Sequence, residues 1–480
     1  MTTRRDVYLL LGIVVTGLLV GVTITEVGLV YDAPLSARIP DIRPLVLCVC
    51  LVAMATVSYI GWPSRWNVIA HGQLAFAVVA YVIPILVLRR LDGLQSEAVD
   101  LYYRVALVGA VMMLAGALIG SRMSRTHTAD RLRARARFDT RHVREAIASR
   151  TFIVCAVAVA MICIAFAVMG FVPMLAEDPM QAKFFKGPYA AAYAPVAPLY
   201  RFGTTVIALL LPLLGAYAWQ RRTAGWVLLF AAAAGAMSLG LMREPAVTGI
   251  LLLIGLVLAA KGRGLPLYFG LLLGVYFVGS ALYFFLGKVG VQGFGADPRT
   301  AGRPFLDEVA AGAPDVADQV SFLRAWQSFP QYTDGKTWLG GLVPGNFEWN
   351  PSVWSLSVVN PGVPIDEITS GGLRLPAPIW GLVSFGWPGV VLVSLLAGFA
   401  FGYLARLASR LVPSKSLVTS VSWLMLYAAA LDIFPVFYRL SYLSVIQFAV
   451  VVMLLFWIGT PKARIPVGAP SLTPTYRLRT

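Results

Sequence analysis

The sequence predicts an all-α polytopic membrane protein with about twelve transmembrane helices and one large extracytoplasmic loop. Three observations lead there. Hydrophobic residues make up 58% of the chain and charged residues 13%, against about 25% charged in an average soluble domain. The apolar residues fall in runs of about twenty, the length an α-helix needs to cross a hydrocarbon core, and the alternation of an outer-membrane barrel is absent. Basic residues collect in every second connector, the asymmetry that orients helices in a bilayer.

The first apolar run, 8–30, is too long for the core of a signal peptide, and no small-residue cleavage site follows it, so it reads as a retained span. Further spans are expected over 44–62, 68–88, 104–121, 151–173, 201–219, 225–241, 246–260, 265–286, 379–407, 416–437 and 441–458. Arg4 and Arg5 precede the first span. The connector 122–150 carries Arg131, Arg133, Arg135 and Arg137 at alternate positions, which reads as a topology anchor against anionic lipid. The connectors at Gln220-Arg221-Arg222, Lys261-Gly262-Arg263 and 406–415, and the tail 462–479, are basic too. With this set of spans all of them fall on one side. The positive-inside rule makes that side cytoplasmic and places both termini there.

The chain therefore divides into spans and short connectors over 1–286, including the Arg-rich connector 122–150, then a large outer loop over 287–378, the last spans over 379–460, and a cytoplasmic tail over 461–480. The other outer segments are 31–43, 89–103, 174–200 and the hairpins 242–245 and 438–440. The large loop is slightly acidic inside a chain of formal net charge +16. Within it, Val316, Val320 and Leu323 have helical spacing, which predicts an amphipathic helix over 314–328 lying on the membrane or the bundle. Beyond Pro330 the loop is turn-rich, and the aromatic residues Trp326, Tyr332, Trp338, Phe347, Trp349 and Trp354 suit either sugar stacking or interface anchoring.

The positive charge sits mostly in topology-setting connectors, which argues against nucleic acid as a partner. Cys48, Cys50, Cys155 and Cys163 lie in apolar runs without metal or disulfide spacing, so they read as packing residues. His71, His127 and His142 are scattered, and Tyr31-Asp32-Ala33 offers no acidic pair in the first outer loop, so neither a metal nor another cofactor is expected.

Basic residues on the outer side run against the topology trend. Arg201, Arg243 and Arg439 stand at outer ends of spans, and Lys183 and Lys186 lie in the segment that leads into one of them. An arginine fork binds phosphate through paired charge-assisted hydrogen bonds, and a lipid diphosphate would sit at that depth. Snorkelling to headgroups, or pairing with Glu244, is the structural alternative. Asp432 lies inside the outer half of a span, where a carboxylate is costly unless paired or functional; Arg439 is within its reach. Tyr189, Lys336, Arg374 and Tyr438 complete the substrate-binding set, with Arg201, Lys183 and Lys186. Arg243, Arg439, Asp432 and Glu244 form the catalytic set. Asp366-Glu367 reads as a solvated pair.

Phe329-Pro330 through Gly335-Lys336-Thr337, then Leu342-Val343-Pro344, then Gly371-Gly372-Leu373 leading into Ala377-Pro378-Ile379-Trp380 and Phe385-Gly386-Trp387-Pro388-Gly389, follow one another in an order that resembles the Wzy-type oligosaccharide repeat-unit polymerases, the O-antigen polymerase family. Arg243 and Arg439 also stand where that family tends to place arginines. Phe347-Glu348-Trp349-Asn350-Pro351 departs from the family's aromatic-Pro-Lys-Pro run. The resemblance implies a metal-independent glycosyltransferase of GT-C-like fold in the bacterial cytoplasmic membrane. It would join polyprenyl-diphosphate-linked oligosaccharide repeat units on the outer face, among membrane lipids, with a chain-length regulator and a flippase as partners. A ligase of similar architecture is disfavoured, because the large loop has no histidine; another lipid-linked-sugar transferase lacks its first-loop acidic pair. A lipid-linked oligosaccharide flippase is the reading from a different class, against which stands the scarcity of charge at mid-span.

Overall fold

The structure is a computed structural model. It describes residues 43–88, 97–124, 126–136, 138, 140–262, 264–288, 315–343, 348–364, 372–433 and 441–457, with Val7, Leu11, Gly12, Val14 and Gly17. The described elements are helices: α1 (Arg43–Ala55), α2 (Val68–Ala77), α3 (Glu97–Met123), α4 (Thr126–Ala136), α5 (Arg141–Met169), α6 (Ala197–Arg221), α7 (Ala224–Leu239), α8 (Arg243–Lys261), α9 (Leu265–Lys288), α10 (Asp315–Ser328), α11 (Ala377–Leu411), α12 (Leu417–Ile433) and α13 (Tyr442–Val452), with shorter turns between them. Among the described residues, five helical stretches are long and apolar enough to cross a membrane: Val68–Ile85, Glu97–Met123, Arg141–Met169, Tyr189–Arg221 and Ala377–Leu411. The protein is a helical membrane protein on that ground.

The further runs expected between 44 and 458 are helical too: α9 has 24 residues and α8 has 19, while α1, α7 and α12 have 13, 16 and 17. At 1.5 Å per residue α9 and α8 reach about the 30 Å of a hydrocarbon core, and the described parts of α1, α7 and α12 cover about 20–25 Å. Among the described residues, each of the expected runs from 44 to 458 is thus matched by apolar helix. The first expected span, 8–30, lies almost wholly outside the described residues.

Two helix groups organise the core. α6 is the hub of the first and packs against α5, α7, α8, α12 and α13. The second is the pair α3–α11, whose backbones touch through small residues. A Cβ at Gly116 would collide with the Leu395 carbonyl, one at Gly398 with Met113 and one at Gly402 with Ala117. Lipid supplies no hydrophobic drive for helix pairing, so close backbone packing of this kind carries the association. Gly402→Leu is expected to cost about 1–3 kcal/mol by overpacking this seam, read as a lowered melting temperature in detergent; an unchanged melt would show that the seam is loose.

α11 is not straight. Its helical dihedrals break at Phe385 (φ −142°, ψ 19°) and Gly386 (φ 66°, ψ −151°). Pro378 and Ser394 would both meet a Cβ placed at Gly109 of α3, and Gly381 abuts Gly389. In a straight helix Pro378 and Ser394 would stand about 24 Å apart. The arm 377–384 therefore doubles back along 387–411, with its vertex at 385–386. Two apolar arms of similar composition carry no periodicity that separates them, which is why the sequence reads as one span over 379–407.

The expected amphipathic helix is present as α10, with Val316, Val320 and Leu323 buried against the bundle. The Arg-rich connector is partly folded in. Arg133 donates to the Arg410 carbonyl, and Phe138 packs on Trp423 and Phe456 with ring centroids 4.8 and 5.8 Å away. Cys48, Cys50 and Cys155 are buried and Cys163 is exposed, all as free thiols.

Candidate functional site

One end of the bundle gathers most of the described basic residues singled out above. Arg201 stands in the first turns of α6. Its Nε donates to Tyr193 Oη at 2.8 Å and its Nη1 to Tyr442 Oη at 3.4 Å, and its guanidinium lies 5.7 Å from the Tyr193 ring centre. Both hydrogen-bond partners are neutral phenols, and among the described residues Arg201 makes no ion pair. Its charge is oriented without being neutralised, which is what an anion site requires.

The neighbours of Arg201 lead to the other expected residues. Phe185 lies flat on Tyr193, with ring centroids 3.6 Å apart, in a left-handed backbone conformation (φ 53°). That staple holds the segment carrying Lys183 and Lys186 beside Arg201. Tyr200 Oη donates to the Gly240 carbonyl at 3.4 Å, three residues before Arg243 opens α8. The Tyr442 amide donates to the Gly341 carbonyl at 3.0 Å, at the end of the short helix Lys336–Gly340. The N-termini of α6, α8 and α13 and the Lys336 helix thus converge. The side chains of Arg243 and Glu244 lie outside the described residues, as do Tyr438 and Arg439 entirely; Ser441 and Tyr442 mark where the 434–440 segment arrives. Asp432 is an exposed residue at the last turn of α12, just before that segment.

The same loop clasps the vertex of α11. The Thr333 amide donates to the Val383 carbonyl at 2.9 Å, satisfying a carbonyl that the chain reversal leaves without a helical partner. The Thr333 hydroxyl bonds Ser384 Oγ (3.2 Å) and Thr337 Oγ1 (3.3 Å), and all three residues are fully buried. Asp334 and Gly335 both take positive φ (49° and 77°) to make this turn, and Trp338 meets Phe385 edge-on at 5.5 Å. Around the vertex, Phe329, Tyr332, Phe385 and Trp387 remain exposed. Of the loop aromatics, Trp326 and Trp354 are buried and hold the loop to the bundle, while Trp349 lies 4.7 Å beneath the Lys336 ammonium. Phe347 and Asp366-Glu367 lie outside the described residues.

Two expected substrate-binding residues are placed otherwise. Tyr189 Oη accepts from the Asp178 amide at 3.2 Å, and its ring packs on Phe171. Arg374 faces α10 and α2: its Nη1 stands 3.8 Å from Asp315 Oδ1 and its guanidinium 5.7 Å from the Phe76 ring centre. Gln319 joins this docking patch, accepting from Tyr102 Oη at 2.5 Å and donating to the Arg374 carbonyl at 2.7 Å. The loop-turn composition around Arg374 gave no sign of this ion pair, because Asp315 is distant in sequence.

Asp318 belongs to the same patch. Burial, and then the Asp315 carboxylate, push its carboxyl up from 3.8 to about 6 against the pull of Arg374. The folded protein thus holds this proton more tightly than the unfolded chain. The resulting stability is present below about pH 4 and is lost as pH rises through about 6. Asp318→Asn is expected to stabilise the protein by roughly 1–3 kcal/mol at pH 7.5, with its melting temperature converging on wild type toward pH 4. Parallel melting profiles across that range would show an ordinary carboxyl.

Sequence reasoning missed Tyr193 and Tyr442 as the partners of Arg201. Tyr442 could have been suspected from its closeness to Tyr438-Arg439, whereas Tyr193 gave no signal in a run of alanines and prolines. Among the described residues no three His, Cys, Asp or Glu side chains come together to hold a metal ion. The fold and site together define a helical membrane protein with a basic, aromatic-rimmed end. Comparison with family models, with curated proteins and with solved structures returns no match.

Proposed function

We propose that the protein is a membrane glycosyltransferase that polymerises polyprenyl-diphosphate-linked oligosaccharide repeat units at the extracytoplasmic end of its bundle. The observation that carries this reading is Arg201, held by two neutral phenols where the N-terminal ends of α6, α8 and α13 converge. The reaction needs cations where a diphosphate leaves, and preorganised donors stabilise that developing charge without reorganising. In the step itself, an acceptor hydroxyl attacks the anomeric carbon of the donor glycan. The anomeric C–O bond to the diphosphate breaks, and polyprenyl diphosphate leaves as the anion, while the hydroxyl proton passes to a base. The proposal assigns that base to Asp432 or Glu244. Lys183, Lys186 and Lys336 extend the positive surface toward the glycan, and the exposed vertex aromatics suit the apolar faces of sugar rings.

The test is direct. Purified protein in nanodiscs is supplied with a diphosphate-linked repeat unit from the native host, without nucleotide sugar or metal. A ladder of products stepping by one repeat unit supports the polymerase. Substrate binding without a ladder overturns it in favour of a ligase or flippase, which a terminal acceptor then separates.

A further inference from the structure

At the end of α6 opposite Arg201, a cavity of about 570 Å³ opens between three helices. It is lined by Arg144 from the first turn of α5, by Trp219, Gln220 and Arg222 from the end of α6, and by Lys415, Ser416 and Leu417 at the start of α12. Arg201 and Arg221 are twenty positions apart on α6, about 30 Å along its axis. This cavity is therefore separate from the site described above. From its geometry we infer a binding site for the anionic phosphodiester headgroup of a membrane phospholipid.

Charge is the first argument. The cavity presents three cations and no carboxylate among its lining residues. The nearby acid, Glu145, is paired with Arg221, and neither of the two lines the cavity. The two guanidinium groups offer fork geometry for phosphate oxygens, and the ammonium of Lys415 adds a mobile point charge. The Ser416 hydroxyl caps α12, accepting from the Thr419 amide at 3.4 Å, so the first-turn amides of a 17-residue helix open beside the same space.

Position is the second argument, and it favours a lipid over free phosphate. Trp219 is 55% exposed, with the Arg222 guanidinium 5.6 Å from its ring centre. An indole partly open to its surroundings beside a cationic cluster is the arrangement found where a helix meets the headgroup layer. The hairpin that carries Arg222 continues into the exposed apolar residues Val227 and Leu228, along which acyl chains can lie. The volume falls within the roughly 300–1,000 Å³ of small-molecule sites. Arg222 takes a left-handed backbone (φ 51°), so its side chain is aimed by the tight α6–α7 turn. Basic pockets between helices, near the membrane surface, have the chemistry for anionic headgroups.

The experiment uses the full chain in nanodiscs of mixed phosphatidylcholine and phosphatidylglycerol, released into detergent and read by native mass spectrometry. Wild type should retain phosphatidylglycerol over phosphatidylcholine. Arg144→Gln/Arg222→Gln/Lys415→Gln should lose that preference by about tenfold, while Arg144→Lys/Arg222→Lys should keep most of it. If the triple variant fails to fold, Lys415→Glu on its exposed side chain carries the same test. Equal retention by wild type and variant overturns the site. A melting temperature raised by inorganic phosphate in lipid-free detergent, without selective retention of phosphatidylglycerol, overturns the lipid assignment in favour of free phosphate.

Discussion

Arg201→Ala, Arg243→Ala and Arg439→Ala are each expected to lower polymer formation by about 100- to 1,000-fold, the usual cost of removing one preorganised donor to a developing anion, while the protein still inserts and folds. For Arg201 the structure states the reason. Its hydrogen bonds go to two phenols, so its deletion removes charge without exposing a buried carboxylate. The fold should therefore tolerate the loss, and the effect should appear in rate. Arg201→Lys should rescue poorly, because an ammonium cannot reproduce the fork that spans Tyr193 and Tyr442 as well as a phosphate oxygen. Tyr442→Phe separates positioning from chemistry: it keeps the charge and frees the guanidinium, so it should raise KM more than it lowers kcat. The measurement is ladder intensity against time for each variant at matched expression and melting temperature. Normal polymer length in all three alanine variants would remove the diphosphate clamp from the mechanism.

What the sequence disclosed and what it concealed follow from the range of the interactions involved. Helices are local, and apolar runs between basic connectors announce them; α3, α5 and α6 fall where the runs at 104–121, 151–173 and 201–219 place them, α3 and α6 extended at both ends and α5 at its start alone. The spacing of Val316, Val320 and Leu323 announced α10 in the same way. The placement of an arginine near a helix end was also legible, since Arg201 stands in the first turns of α6 and Arg243 opens α8. Partners were not legible, because they come from distant parts of the chain. Tyr442 lies 241 positions from Arg201, and Gln319 lies 217 from Tyr102. Arg374 shows the consequence: its charge suggested a substrate contact, and the structure sets it against Asp315 and Phe76. The reversal in α11 was hidden for a different reason. An apolar arm that packs against another apolar arm has the composition of a single span, and only Phe385-Gly386-Trp387-Pro388 hints at a turn.

That turn is where the backbone and the candidate site depend on each other, and Gly386→Val is expected to destabilise the protein by about 3 kcal/mol and to suppress polymer formation in the fraction that folds. Space is not the obstacle. A Cβ at Gly386 would come no closer than 3.8 Å to any neighbour, the Tyr332 ring being nearest. The obstacle is conformational: φ 66° with ψ −151° is open to glycine and strained for any residue with a Cβ, most of all a β-branched one. Relieving the strain would rotate the 385–386 junction and withdraw Val383 and Ser384 from Thr333. Thr333 begins the turn that leads through Lys336 to Gly341, and Gly341 holds the amide of Tyr442. A change at the vertex is thus relayed through successive hydrogen bonds to the phenol that orients Arg201. Gly381→Ala attacks the same hairpin by another route, since a Cβ there would collide with the Gly389 carbonyl and force the arms apart. If the vertex supports the site, both variants should lose activity at temperatures where their melting curves still show folded protein, and Arg201→Ala should add little further loss in either background. Full activity in folded Gly386→Val would mean that the hairpin serves packing alone.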